Sequence, residues 1–132
     1  VIAALGKIKA NMDSGQFGAV QEAGAAALDG AERRELLDAR AMYRERARAM
    51  AVGLTALGFR VREPKATFYL WAGTPAGYDA LSVVTRLLDE AAVVCVPGAG
   101  FGEAGAAYGR FALTVSIERI REALERMRAV RW

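Results

Sequence analysis

The chain has 132 residues, of which 54% are apolar and 25% charged, with a formal net charge of +3. That length is one domain's worth of polypeptide, and the composition is that of a globular rather than a disordered chain. Histidine is absent, which removes the commonest general base and metal ligand and with them zinc and Ser-His-Asp chemistry.

The single cysteine, Cys95, excludes an internal disulfide, fits a reducing cytoplasm, and reads as a small apolar filler on a buried strand. No apolar run approaches the ~20 residues of a membrane span. Val1–Leu5 is too short for the apolar core of a signal peptide and has no basic stretch before it. Residue 1 is Val rather than Met, and the expectation is a polypeptide that continues upstream. The basic pI, about 9.4, raises nucleic-acid binding. The cations are interleaved with acids, as in Glu32-Arg33-Arg34-Glu35 and Arg44-Glu45-Arg46, which is the pattern of an ion-paired solvated face and not of a one-sign nucleic-acid surface.

In chain order, residues 1–10 have the apolar spacing of a helix, carried by Val1, Leu5 and Ile8. Asn11-Met12-Asp13-Ser14-Gly15 is a cluster of turn formers that ends it. Phe17–Leu28 is predicted as a second, Ala-rich helix with Asp13 or Ser14 as its cap, and Asp29-Gly30 closes it. A long helix is predicted from about Glu32 to Leu57. Its apolar stripe is Leu36, Leu37, Met42 or Tyr43, Ala47, Met50, Leu54 and Leu57, with Gly58 as the C-terminal cap. Phe59-Arg60-Val61-Arg62 alternates like a strand, and Thr67–Trp71 is the strongest strand pattern in the chain. Asp79 is placed to cap a helix running to about Glu90. Val93–Val96 and Gly109–Val115 read as strands, and Ser116 caps a last helix through about Val130. The predicted class is α+β: a small mixed or antiparallel sheet with helices on one face, preceded by two short helices that fit the end of a neighbouring domain.

Three constellations bear on function. Gly98-x-Gly100-x-Gly102 lacks the G-x-G-x-x-G spacing and the following helix of a dinucleotide loop, so it is read as a flexible loop between two strands. Arg110 stands just after that loop and before apolar Phe111-Ala112-Leu113, with no acid nearby except Glu103. A strand-held arginine in such a setting either pairs with a surface acid or offers its planar fork to a ligand carboxylate. Asn11, Ser14 and Gln16 form a polar turn suited to helix capping, to a ligand contact, or to both. Lys7, Lys9 and Lys65 are the only lysines, and none has the desolvated setting of a Schiff-base amine.

Taken together, these segments resemble the C-terminal part of a class I/II aminotransferase of the pyridoxal-phosphate-dependent, fold-type-I kind, particularly the LL-diaminopimelate aminotransferase branch. The resemblance is carried by Lys9-Ala10-Asn11-Met12-Asp13-Ser14-Gly15-Gln16-Phe17 with Gln21, and by Pro64-x-x-Thr67-Phe68-Tyr69-Leu70-Trp71. The third block is Val96-Pro97-Gly98 through Phe101-Gly102, Gly105, Tyr108 and Arg110. It implies that residues 1–30 are a helical remnant of the large cofactor domain and residues 31–132 the small domain, with a connecting helix over about 31–57. It further implies that Arg110 binds the substrate α-carboxylate, and that the turn around Asn11 reaches toward the partner's site in a homodimer. The lysine that forms the Schiff base with pyridoxal phosphate then lies upstream, so residues 1–132 alone are expected neither to bind the cofactor nor to turn over amino acid and 2-oxo acid. Gly109 departs from the family pattern, which carries a β-branched residue before the arginine. From the residues alone, a small ligand-binding or regulatory α+β module and a dimerisation module stay open as alternatives.

Overall fold

The computed structural model describes the whole chain, Val1–Trp132. Contacts divide it into two compact units, Val1–Asp38 and Ala39–Trp132.

In the first unit, α1 (Ile2–Met12) and α2 (Gly18–Asp29) are followed by the opening turn of α3 (Arg34–Ala56). Asn11 belongs to the last turn of α1, so the break begins at Asp13, two residues later than the turn-former cluster indicated. Neither Asp13 nor Ser14 caps α2; the N-cap is Phe17, with no side-chain hydrogen bond. The Asp13 carboxylate is already engaged, accepting from the Gly15 N–H at 3.1 Å and from Lys9 Nζ at 2.7 Å, and Gly15 (φ 143°) carries the chain away. Neither α1 nor α2 contains a buried residue, although both carry apolar side chains at helical spacing: Leu5, Ile8 and Met12 on one, Phe17, Val20 and Leu28 flanking and along the other.

The second unit is an antiparallel sheet packed under helices. Its strands, β1 (Arg60–Val61), β2 (Tyr69–Gly73), β3 (Val96–Pro97) and β4 (Tyr108–Ala112), lie in the order β1-β2-β4-β3, and every neighbouring pair is antiparallel. Leu70, Ala72 and Phe111 face inward from the two central strands. They meet Met50 and Leu54 of α3, Val83 and Leu87 of α4 (Ala80–Ala91), and Ile120 and Met127 of α5 (Ile117–Met127). The α3 stripe runs inward from Tyr43, not Met42, whereas Leu36 and Leu37 are exposed in the first unit. Gly58, at φ +87°, lets the chain reverse so that the Phe59 N–H reaches the Leu54 carbonyl at 3.1 Å.

The other two predicted side-chain caps, Asp79 and Ser116, are in place. Asp79 accepts from the Ser82 N–H at 2.9 Å, which holds its carboxyl below the usual aspartate range, and Ser116 accepts from Arg119 at 3.4 Å. Strand limits shifted for local reasons. Thr67 has φ 76°, a left-handed conformation that cannot extend a ladder, so β2 starts at Tyr69 and continues through Ala72-Gly73. Ala92, also left-handed at φ 51°, ends α4 and sends Val93 back to the Leu87 carbonyl. Val93 and Cys95 are buried, as the pattern indicated, yet ladder pairing with β4 begins only at Val96. Burial pushes the Cys95 thiol up to about 12, which keeps it protonated and fits the role of filler.

Candidate functional site: an arginine on the open face of the sheet

Because side chains alternate along a strand, the register that sends Leu70, Ala72 and Phe111 inward turns Tyr69, Trp71 and Arg110 to the opposite face. Trp71 and Arg110 are direct cross-strand partners in this register, and Val96 is the partner of Arg110 on its other side. On this face Trp71 remains 40% exposed.

The half-buried Arg110 guanidinium carbon lies 4.1 Å from the centroid of the Tyr69 ring and 4.3 Å from that of Phe101. Its Nε is buried and has no hydrogen-bond partner. None of the ion pairs of the chain includes Arg110, and Glu103, the one acid nearby in sequence, is not paired to it. A partly desolvated cation without an anion is a costly arrangement, and a ligand carboxylate removes that cost. The protein therefore supplies no internal acid for this arginine, which was one of the two readings its sequence setting left open.

The glycine loop shapes the approach to Arg110. It is not a loose connection: residues 98–101 and 103–105 form two short 3-10 turns hinged at Gly102 (φ 118°). Gly98 and Gly105 approach so closely that a Cβ on either would collide with the backbone of the other, and one on Gly98 would also lie 2.8 Å from Trp71 Cζ3. This backbone-on-backbone contact needs glycine at both positions. It delivers Phe101 edge-on to Trp71, with ring centroids 5.4 Å apart, and against the guanidinium. Gly109 leaves the ladder intact, paired with Ala72 on one side and Pro97 on the other.

Beside this arrangement an open groove of about 850 Å³ runs over β1 and β2, with Arg60, Arg62 and Lys65 along it and Tyr69, Trp71 and Tyr108 as aromatic wall. Asn11 lies in the first unit, exposed, its Nδ2 donating to the Lys7 carbonyl at 2.8 Å. Sequence reasoning singled out Arg110 but missed the two rings around it. The available signal was the alternation of Tyr69 and Trp71 about Leu70; for Phe101 there was none, because its position depends on the Gly98–Gly105 contact. His, Cys, Asp and Glu side chains form no cluster able to hold a metal ion.

The second unit is an antiparallel α+β layer with an unpaired arginine on one face, and comparison with known proteins gives its class. The chain belongs to the aminotransferase class I and II family, whose model matches residues 1–127. Among curated relatives it is similar to the LL-diaminopimelate aminotransferase of Aquifex aeolicus, 49% identical over 128 residues, and to that of Moorella thermoacetica, 48% identical over 130 residues. These alignments cover 97% and 98% of this chain but only 33% of each relative, so the chain spans about a third of the length of the enzymes it matches. Among solved structures it is similar to a probable N-succinyldiaminopimelate aminotransferase from Thermus thermophilus, with a TM-score of 0.76 and 35% identity over 98% of this chain and 34% of that one.

Proposed function

We propose that this chain is the part of a pyridoxal-phosphate-dependent aminotransferase that holds the substrate's α-carboxylate, with Arg110 as the carboxylate ligand. The observation that carries the reading is the Arg110 guanidinium, packed on two rings, its Nε buried and unpartnered, and without an acid. A planar fork binds a carboxylate through two parallel hydrogen bonds, a charged pair worth on the order of 1.5–3 kcal/mol, and fixes its orientation as well as its position. Held this way, an amino acid presents a defined Cα–H bond to the reacting groups, and the same contact serves the 2-oxo acid of the return half-reaction.

The residues present do not themselves fit pyridoxal phosphate. The cofactor requires an amine for a Schiff base, and all three lysines here are exposed, with Lys9 engaged by Asp13. In the proposed enzyme the amine and the phosphate-binding groups come from polypeptide other than residues 1–132, and no chemical step is assigned to the residues in hand beyond binding and orienting the carboxylate. Identity to the LL-diaminopimelate aminotransferases supports a diamino dicarboxylic acid as the amino donor. The uncovered apolar side chains of α1 and α2 support burial of this region against further protein, including the partner of a homodimer, with Asn11 contributing to substrate binding there. No helix is long and apolar enough to cross a membrane. The interleaving of cations with acids supports a reading without a nucleic-acid partner, and the lone free cysteine supports a cytoplasmic enzyme.

Incubating the chain with pyridoxal phosphate, reducing with borohydride and measuring the intact mass tests this division of labour. The expected spectrum shows no stoichiometric adduct. A single adduct mapped to Lys7, Lys9 or Lys65 would show that these residues form a complete site of another kind.

A further inference from the structure

We infer that Phe101 and Tyr69 are positioning residues that set the plane of the Arg110 fork, and that the carboxylate selectivity of the site is built into the glycine loop through Phe101; this rests on the reading of Arg110 as the carboxylate ligand. An arginine side chain on a strand has several rotatable bonds, and two parallel hydrogen bonds to a carboxylate demand one orientation of the guanidinium plane. Here no hydrogen bond supplies that orientation, because Nε is buried without a partner and no acid is paired with the group. What remains is packing against the two rings, with the guanidinium carbon 4.1 Å from the Tyr69 centroid and 4.3 Å from that of Phe101. At such distances a guanidinium is attracted to aromatic faces, more strongly where water is excluded.

The two rings are anchored differently. Tyr69 is fixed by the ladder, opposite Ala112. Phe101 is 52% exposed and depends on the glycine turns and on its edge contact with Trp71. Removing the Phe101 ring therefore leaves the fold in place while freeing the fork, which separates positioning from structure.

The test uses 1H–15N spectra of the chain, with the Arg110 Nε–Hε resonance assigned by its loss in Arg110→Lys. Pyruvate is the probe. In the unsubstituted chain the resonance is expected upfield of the other arginines because of the ring currents, and pyruvate is expected to shift it further. Phe101→Leu should return it toward the ordinary arginine position and weaken pyruvate binding about tenfold, whereas Phe101→Tyr, which keeps the ring, should preserve both. Because loss of the ring current alone moves the resonance, the affinity is the deciding readout: unchanged pyruvate affinity in Phe101→Leu would overturn the inference while leaving the carboxylate reading standing. An Arg110 resonance that pyruvate never perturbs in the unsubstituted chain would overturn the carboxylate reading, and the inference with it.

Discussion

Arg110→Lys is expected to lower kcat/KM roughly a hundredfold or more when the chain is assayed within a complete aminotransferase. The loss has two sources. An ammonium keeps the charge but not the fork, so one directed hydrogen bond replaces two, and the charged pair at stake is on the order of 1.5–3 kcal/mol. Misorientation of the substrate over the reacting groups adds a further rate cost. Because Arg110 has no ion pair or side-chain hydrogen bond within the protein, the substitution breaks no such structural contact, and the folded state should survive it. Steady-state kinetics with the thermal midpoint measured alongside separates the two effects. Near-normal kcat/KM in a folded Arg110→Lys enzyme would remove Arg110 from the site.

Gly98→Ala is expected to have the second-largest effect, by a different route. An added methyl would collide with the Gly105 carbonyl, approach the Tyr108 carbonyl to 2.7 Å, and press on Trp71. Two of those neighbours are backbone, which cannot rotate away, so the loop must move. Overpacking of this kind costs about 1–3 kcal/mol, and Phe101 moves with the loop. The variant should therefore lose stability by roughly that amount in a denaturant titration. It should also lose carboxylate affinity, although residue 98 touches no ligand. Gly100→Ala is the control, since a Cβ there meets nothing within 4 Å. A Gly98→Ala chain as stable as the original would show that the close approach does not shape the loop.

The sequence carried the elements whose signal is local. Asp79 and Ser116 were legible as caps because a short polar side chain before an amphipathic run has one effective use, and the α3 stripe was legible from Tyr43 onward because its period matches a buried face. What it did not carry depended on distant partners or on backbone conformation. The end of β2 at Ala72-Gly73 has no strand propensity of its own; pairing with β1 and β4 imposes it. The start of β2 was set by the left-handed Thr67, which a β-branched residue disguises. In the site, Arg110 could be picked out by its sequence setting, but that no acid of the chain pairs with it needed the structure. The ring of Phe101 at the guanidinium arises from two glycines that touch across seven residues, a contact with no periodicity to betray it.

The most direct measurement is calorimetric titration of this chain with pyruvate and with pyruvamide, which differ in the carboxylate. The structure predicts a preference for the acid of about tenfold or more, reflecting a charge-assisted bidentate pair, and its disappearance in Arg110→Lys. Equal affinities in the original chain, or a preference for pyruvate that survives Arg110→Lys, would contradict the assignment of Arg110 as the carboxylate ligand.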